Sequence, residues 1–354
     1  MIKNNINILV TAVGGGGHGE QILKALLQAK NSQYRIFGAD MNSYCPQFAL
    51  VNDYAVLPRA DDPDFIESVL EICERFQIHV LFHGCEPELK RYSDNRHRFA
   101  ERGIFLPINP KATIDTCLSK EQTFSVLREL GFEVPRFARV TNKEDLKSID
   151  FFPAVVKPSI GGGGSSDVYI VQSMHELLAL SAYIDIEHSQ TQFVIQEYVG
   201  SPDQEYTVGV LHDMEGEYIN SIALRRYLSG QLNIRSRVLN RSNRADLGSH
   251  LVVSSGISHG QLGRFSNVTE PCVEIARAIN STGAINIQCR LVDGKVMVFE
   301  INPRFSGTTS LRAMVGYNEP DLLIRKHILG EAIISNFQYE EGTILRSLVE
   351  TRLK

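Results

Sequence analysis

The 354-residue chain lacks the features that mark several large classes of protein. No apolar run is long enough to span a bilayer, which argues against a membrane protein. The first thirteen residues have no apolar core of the length that a secretory signal needs. No run of lysine and arginine stands out, and the net charge of −5 argues against a nucleic-acid partner. Internal repeats and low-complexity tracts are also absent.

The cysteines show no paired spacing of the kind that holds a metal ion. There are six, at positions 45, 73, 85, 117, 272 and 289. Reduced thiols and a cytoplasmic location are the expectation for this pattern. The hydrophobic content of 43% and charged content of 22% are those of a soluble globular protein, and the length suits two or three packed subdomains.

A glycine-rich turn follows the first predicted strand, residues 6–12. The run Gly14–Gly19 opens a helix over 20–28, and Asp40 closes a second strand over 34–39. The spacing satisfies the dinucleotide-binding fingerprint, so a nicotinamide-dependent dehydrogenase is one interpretation. A run of glycines matches that fingerprint almost by chance, and no acid/base residue of a dehydrogenase is marked. A substrate-binding or purely structural turn is therefore the alternative.

Further strand–helix units predict a parallel α/β domain at the start of the chain. A helix is expected over 63–76, a strand over 79–83 and another helix from Glu86. Glu86 and Glu88 follow the carboxyl end of that strand, where open α/β sheets bind ligands. Acids that simply favour the positive end of a helix are an equally good explanation.

A second glycine-rich segment lies in a predicted hairpin over 152–171. Lys157 ends its first strand, and the loop carries Gly161 to Gly164 and two serines. Main-chain N–H groups of such a loop can cover phosphates. The segment is not a P-loop, because the lysine precedes the glycines and no helix follows directly. A flexible hairpin without a ligand is the alternative.

A third segment, residues 283–311, predicts two strands joined at Asp293-Gly294. Apolar and polar residues alternate in both strands, with Ile285, Ile287, Cys289 and Leu291 on the first apolar face and Met297, Phe299 and Ile301 on the second. A three-residue loop ending in a left-handed bulge at Gly294 would bring Gln288, Glu300 and Asn302 to one face, whereas a two-residue loop would separate Gln288 from Glu300. Their oxygen atoms suit Mg²⁺. An ordinary half-exposed hairpin is the alternative.

The run Phe299–Arg304 resembles the closing signature of the ATP-grasp superfamily, most closely a single module of the carbamoyl-phosphate synthetase large subunit. Two lysines, the glycine loop, a Glu-Tyr-Val hinge and the metal hairpin occur in the family's order. The resemblance implies an α/β chain in which a Rossmann-like domain (1–110) precedes an α+β ATP-grasp fold of two subdomains. The expected boundaries of these subdomains are 111–195 and 196–354.

The resemblance also assigns roles to particular positions. It implies metal ligation by Gln288, Glu300 and Asn302, and catalytic roles for Arg304 and Lys157. It implies nucleotide binding by Lys120, Lys157, Gly162, Gly163, Gly164, Ser165, Glu197, Val199 and Glu205. Relatives commonly have an acidic residue before the first lysine, where this chain has Ser119; with Gln122 three residues on, Ser119 predicts a capping box at the start of a helix that runs to about Leu130.

The function implied is an ADP-forming ligase that uses ATP with Mg²⁺ or Mn²⁺ to join a carboxylate and an amine through an acyl phosphate. A bicarbonate-activating enzyme like carbamoyl-phosphate synthetase is an alternative, because it uses the same site. A nucleotide-binding regulator without catalysis is a second alternative. Small molecules are the expected partners, with neither nucleic acid nor membrane, and a homodimer is left open. The sequence does not name the carboxylate or the amine.

Overall fold

The computed structural model describes residues 5–30, 33–140, 145–161, 166–188 and 191–348. Its first part is built on strands β1 (Ile6–Val10), β2 (Tyr34–Asp40), β3 (Asp53–Val56) and β4 (Val80–Phe82) and on helices α1 (His18–Leu27), α2 (Phe65–Arg75), α3 (Glu86–Asp94) and α4 (Arg96–Ala100). The strands pair in the order β3-β2-β1-β4, and every pairing is parallel. The predicted α/β character of this part is confirmed.

Two glycines let the turns at the carboxyl edge of this sheet approach each other. A Cβ atom at Gly84 would lie 2.0 Å from the carbonyl oxygen of Thr11, and one at Gly19 would lie 2.3 Å from that of Ala12. The Gly19 N–H donates to the carbonyl of Gly84 over 3.3 Å. No side chain fits at either position, so the start of α1 is held against the turn that leads into α3.

The middle of the chain forms a small antiparallel sheet. Helices α5 (Lys111–Leu118) and α6 (Lys120–Glu129) precede this sheet in the chain. Its strands are β5 (Phe137–Val140), β6 (Ala154–Pro158), β7 (Tyr169–Val171) and β8 (Phe193–Glu197), and helix α7 (Met174–Glu187) connects β7 to β8. The strand order is β5-β8-β6-β7. As predicted, the hydroxyl of Ser119 caps α6 by accepting from the N–H of Gln122 over 3.3 Å. Strands β6 and β7 pair antiparallel, as the glycine-rich hairpin requires, and Gly162 to Ser165 lie outside the described residues.

The remaining strands are β9 (Glu205–His212), β10 (Tyr218–Arg226), β11 (Ile234–Leu239), β12 (His250–Ser254), β13 (Gly260–Gly263), β14 (Ala284–Val292), β15 (Lys295–Asn302) and β16 (Gly342–Ile344). Six of them form an antiparallel sheet in the order β15-β14-β9-β10-β13-β16, and β11 pairs with β12. Helix α8 (Ser266–Ala278) contributes to the core beneath the large sheet, and α9 (Thr309–Met314) and α10 (Glu319–His327) contact α1. In the described part of the chain, no helix has the length and apolarity to cross a membrane.

The segment 248–263, which its glycines and serines predict as a loop, contains strands β12 and β13. Gly260 pairs with Arg226, and a Cβ atom there would lie 2.0 Å from the carbonyl oxygen of Arg225. This glycine therefore serves close strand pairing rather than loop freedom. The strand predicted over 342–353 ends at Ile344 among the described residues.

The hairpin of β14 and β15 differs from its prediction in where the extra residue sits. The loop has two residues, Asp293 and Gly294, both left-handed with φ of 49° and 79°, so the predicted three-residue loop is wrong. A β-bulge farther along leaves Phe299 unpaired between Val298 and Glu300. The two-residue loop alone would place the side chains of Gln288 and Glu300 on opposite faces of the sheet. The extra residue of the bulge returns them to the same face, so they pair directly across the strands.

The bulge also changes which side chains of β15 enter the core. Val296, Val298 and Ile301 are buried, at 9%, 0% and 3% exposure, while Met297 and Phe299 are only half-buried. The predicted apolar face is therefore correct in β14, where Ile285, Ile287 and Cys289 are buried. It is wrong in β15 before the bulge.

Candidate active site

Two cavities meet at the β14–β15 hairpin. The larger, of about 1230 Å³, lies between the carboxyl edge of the parallel sheet, α5 and α6, and the large antiparallel sheet. The smaller, of about 90 Å³, lies between the small sheet and β12. Gln288 and Glu300 line both cavities, so a molecule in one cavity can meet a molecule in the other at these two side chains.

The three predicted metal ligands converge at this junction. Gln288 and Glu300 are cross-strand partners, and the amide of Asn302 donates to the Oε1 atom of Glu300 over 2.9 Å. Arg304 donates from Nη2 to the Oδ1 atom of Asn302 over 2.9 Å. The side-chain oxygen of Gln288 faces Arg226, with Nη1 at 3.4 Å. The sequence thus predicts this constellation correctly, except for the arginine beside Gln288.

This donor set fits Mg²⁺ that arrives with a nucleotide. All three side chains offer oxygen atoms, but only Glu300 is a carboxylate, and the described residues hold no cluster of three or more His, Cys, Asp or Glu that could bind a metal alone. Magnesium ordinarily completes such a shell with phosphate oxygens and water. Burial alone would raise the pKa of Glu300, but Lys120, Lys157, the amide of Asn302 and Arg304 together hold it below its usual value, so the carboxylate is ionised.

Lys157 is a buried cation at the end of β6. It is 5% exposed, and its Nζ atom donates to the carbonyl of Phe299, the bulged residue, over 2.8 Å. Burial lowers the pKa of Lys157 to about 7, although Glu300 opposes the shift, and Lys120 adds to it. Lys120 donates to the carbonyl of Gly161 over 2.9 Å, at the entrance to the glycine loop. Both lysines line the smaller cavity, where anionic phosphates would relieve their repulsion.

The predicted hinge lies along the same small cavity. Glu197 ends β8 and pairs with Arg136, whose Nε atom is 3.0 Å from the Oε2 atom of the glutamate. Val199 follows, and its carbonyl accepts from Nη1 of Arg290 over 3.1 Å. The structure thus brings Glu197 and Val199 together at the cavity, and it shows that the carbonyl of Val199 already has a protein partner.

Glu205 has partners that the sequence does not reveal. It is 1% exposed, and its Oε2 atom accepts from Nε and Nη2 of Arg290 over 3.1 and 2.9 Å. Its Oε1 atom is 3.3 Å from Nη1 of Arg226. Burial would raise the pKa of Glu205, but the two arginines reverse that effect. The carboxylate is therefore the shared counter-ion of two buried guanidinium groups, whatever it contacts in a nucleotide. Only the placing of Arg290 on the polar face of β14 could have indicated this.

On the opposite wall of the larger cavity, the acids of the first domain divide into two kinds. Glu86 lines the cavity, and its Oε1 atom accepts from Nη2 of Arg304 over 2.8 Å. Glu88 is buried behind it and accepts from the hydroxyl of Thr11 over 2.7 Å, and burial raises its pKa to about 7. Glu86 thus lies on the cavity surface, paired with Arg304. Glu88 instead stabilises the turn before α3, where it also accepts from the N–H of Gly84.

The glycine turn before α1 faces the larger cavity. The carboxylate of Asp40 accepts from the N–H of Gly14 over 2.8 Å, so the acid that would bind a ribose in the dinucleotide interpretation is already engaged. Gly15 and Gly16 have positive φ, and a Cβ atom at either would have no neighbour within 4 Å. This arrangement favours a substrate-facing turn over a dinucleotide site.

Comparison with known proteins gives the same fold. Residues 8–107 match the family model for the PylC-like N-terminal domain, and residues 189–348 match the model described as ATP-grasp in the biosynthetic pathway with Ter operon. The carbamoyl phosphate synthase large chain of Thermoanaerobacter sp. (strain X514) is 24% identical over 260 residues. The match covers 71% of this chain but 22% of that protein, so the chain spans less than a quarter of its length.

Solved structures share the architecture at low sequence identity. The L-amino acid ligase from Bacillus licheniformis has a TM-score of 0.64 at 17% identity, covering 92% of this chain and 74% of the other. The N5-carboxyaminoimidazole synthetase from Staphylococcus aureus complexed with ADP has a TM-score of 0.64 at 15% identity, covering 91% and 78%. The chain therefore contains an ATP-grasp domain, matched over residues 189–348, which follows an N-terminal domain of the PylC-like kind, matched over residues 8–107.

Proposed function

We propose that the chain is an ADP-forming ligase that uses ATP and Mg²⁺ to join a carboxylate to an amine through an acyl phosphate. The observation that carries the proposal is the meeting of two cavities at Gln288 and Glu300. The nucleotide binds along the wall of the small one with its phosphates at the junction, and the large one has room for two further substrates. The similarity to an L-amino acid ligase and to a synthetase that was crystallised with ADP supports the same conclusion.

In this proposal the subdomain boundaries fall near residues 111 and 196, and the nucleotide lies between the small sheet and the large one. Glu197 and Val199 meet the base, Glu205 lies near the ribose, and Lys120 and Lys157 meet the phosphates together with Gly162, Gly163, Gly164 and Ser165. Gln288, Glu300 and Asn302 hold the magnesium, which neutralises phosphate charge when bound. The support is the shared wall of the small cavity for Lys120, Lys157, Glu197, Val199, Glu205, Gln288 and Glu300, and the hydrogen bond to Glu300 for Asn302.

The chain's own residues contribute mainly charge and position to the chemistry. Phosphoryl transfer needs little covalent help from a protein. Arg304 stands at the junction, bonded to Asn302 and Glu86, where its remaining N–H groups can stabilise charge on the transferred group. Lys157 approaches from the nucleotide side. The carboxylate oxygen attacks the terminal phosphorus as ADP leaves, and the amine then displaces phosphate from the acyl carbon.

Bicarbonate activation is the second candidate, because the matched carbamoyl phosphate synthase large chain covers most of this chain. The volume of the larger cavity favours organic substrates over bicarbonate, which would leave most of about 1230 Å³ unfilled. The proposal also includes a cytoplasmic location, supported by the free cysteines, and small-molecule partners without nucleic acid. Whether two copies associate is a separate question for solution measurements.

The test is ATP-dependent phosphate release across a panel of amino acids and dipeptides, supplied singly and in pairs. One arm contains bicarbonate alone, and Glu300→Gln is the matched variant. We expect release that requires a carboxylate and rises with an amine partner. Release that bicarbonate alone stimulates fully would favour the second candidate, and release by no member of the panel would count against the organic-ligase proposal.

A further inference from the structure

A histidine of the first domain forms part of the wall of the larger cavity. His18 is the first residue of α1, directly after the glycine turn, and lines the cavity together with Gly15 to Gly17. It is 6% exposed, and its Nε2 atom is buried without a hydrogen-bond partner among the described residues. A buried polar atom that has no protein partner is uncommon and indicates that a partner is supplied from outside.

The surroundings of His18 keep the imidazole uncharged. Its ring meets that of His83 edge to face, with centroids 5.1 Å apart, and the charged side chain that acts on both rings is Arg304. Burial lowers the pKa of His18 well below its usual value, and the positive charge of Arg304 adds to this effect. The neutral ring has one nitrogen that accepts a hydrogen bond and one that donates.

The carboxylates on this cavity wall are already bonded. Among the described lining residues, each carboxylate has a partner: Glu86 pairs with Arg304, Asp115 with Lys90, Glu121 with Arg139, and Glu300 with Asn302. His83 is buried behind His18 and does not line the cavity. A cation or an amide donor stabilises the charged form of each of these carboxylates and weakens it as a base, whereas His18 is the one histidine among the described lining residues and its Nε2 atom has no partner.

We propose that His18 is a catalytic residue that accepts the proton of the attacking amine in the second half of the reaction. The proposal rests on the ligase function given above. Its basis is position: Arg304, which follows the metal hairpin, and His18, which follows the glycine turn, line the same larger cavity, and Arg304 is close enough for its charge to act on His18.

The step balances without another reactant. The lone pair of the neutral amine forms the C–N bond at the acyl carbon, and the C–O bond to phosphate breaks with its electron pair on the phosphate oxygen. The N–H proton becomes acidic as the nitrogen gains positive charge, and it passes to the ring of His18. Since Arg304 disfavours an imidazolium, the proton moves on to the departing phosphate, and the ring returns to its neutral state.

The experiment compares two nucleophiles on His18→Gln, using a carboxylate that the wild-type protein activates in the phosphate-release panel. Hydroxylamine attacks acyl phosphates at neutral pH without help from a base and gives a hydroxamate. We expect His18→Gln to form hydroxamate at close to the wild-type rate while amide formation falls by about a hundredfold or more. His212→Gln is the matched control, because His212 is also buried and unpartnered but lines neither cavity.

The outcomes separate this proposal from the ligase function. If wild-type protein forms no hydroxamate with any carboxylate, the ligase function itself is wrong. If His18→Gln forms amide and hydroxamate at wild-type rates, or loses both in equal proportion as a damaged fold would, His18 is not the proton acceptor. Hydroxamate formation by the variant shows at the same time that the nucleotide site is intact.

Discussion

Replacing Lys157 with methionine should make the ligand-free protein more stable at neutral pH while abolishing activity. Lys157 is 5% exposed, and burial lowers its pKa from 10.5 to about 7. Between these two pH values the unfolded chain binds more protons at this position than the folded chain does. The unfolding free energy of the wild-type protein therefore rises with pH between these two values. The loss of unfolding free energy caused by burying Lys157 is largest at pH values below the folded-state pKa.

The magnitude follows from the size of the shift. Keeping Lys157 costs the folded state roughly 4 kcal/mol at pH 7 and about 2 kcal/mol at pH 9. The substitution also removes the hydrogen bond to the Phe299 carbonyl, which the charged and the neutral amine both donate. We assign about 2 kcal/mol to that loss at both pH values. The variant should thus be more stable by about 2 kcal/mol at pH 7 and roughly equal to wild type at pH 9.

The assay is urea unfolding of both proteins at the two pH values, in EDTA and without nucleotide. Lys147→Met is the control, because Lys147 is exposed and lines neither cavity, so its effect on unfolding free energy should be small at both pH values. The argument that burial of Lys157 destabilises the ligand-free protein would be refuted by a Lys157→Met protein that is less stable than wild type at pH 7. It would also be refuted by a difference in unfolding free energy that is identical at both pH values.

Three further expectations concern the site and the first domain. Glu300→Gln should lower activity by about tenfold or more, or at least roughly 1.4 kcal/mol in the barrier, with partial rescue by excess Mg²⁺ or by Mn²⁺ in steady-state kinetics; wild-type kinetics would remove Glu300 from the metal site. Glu205→Gln leaves Arg226 and Arg290 buried without their counter-ion and should cost about 3–5 kcal/mol in unfolding free energy, with a raised KM for ATP at permissive temperature; an unchanged melting temperature would contradict the pairing. Calorimetry should detect no NAD binding to the wild-type protein and none to Asp40→Ala, which instead melts earlier because a glycine-turn N–H loses its acceptor; micromolar NAD affinity would revive the dinucleotide interpretation.

Sequence periodicity predicts the hairpin but cannot place its bulge. Residues 296–299 are all apolar, so an alternating pattern fits either register until Glu300 and Asn302 supply polar marks. The prediction that Gln288 and Glu300 share a side depends on a three-residue loop ending at Gly294, whereas the structure brings them together through the bulge at Phe299. The carbonyl of Phe299 then meets Lys157, so the bulge also positions the lysine that the resemblance singled out.

The ion pairs behind the site are a second feature beyond the reach of sequence patterns. Glu205 and Arg290 are 85 positions apart and meet only because β9 and β14 are neighbours in the sheet. A basic residue on a polar strand face is ordinarily exposed, yet Arg290 is 5% exposed. Helix α6 and its cap, by contrast, depend on neighbouring residues alone, and there the sequence prediction is correct.

The central claim is that ATP activates a carboxylate at the junction of the two cavities, and the most direct test follows the oxygen atoms of that carboxylate. The protein is incubated with ATP, Mg²⁺, amines and a carboxylate substrate from the panel labelled with ¹⁸O, and the released phosphate is examined by mass spectrometry. An acyl phosphate requires that one labelled oxygen pass from the carboxylate to the phosphate while ADP forms. Phosphate that is released without the label would show that the carboxylate is not activated, and the account of this site would be wrong.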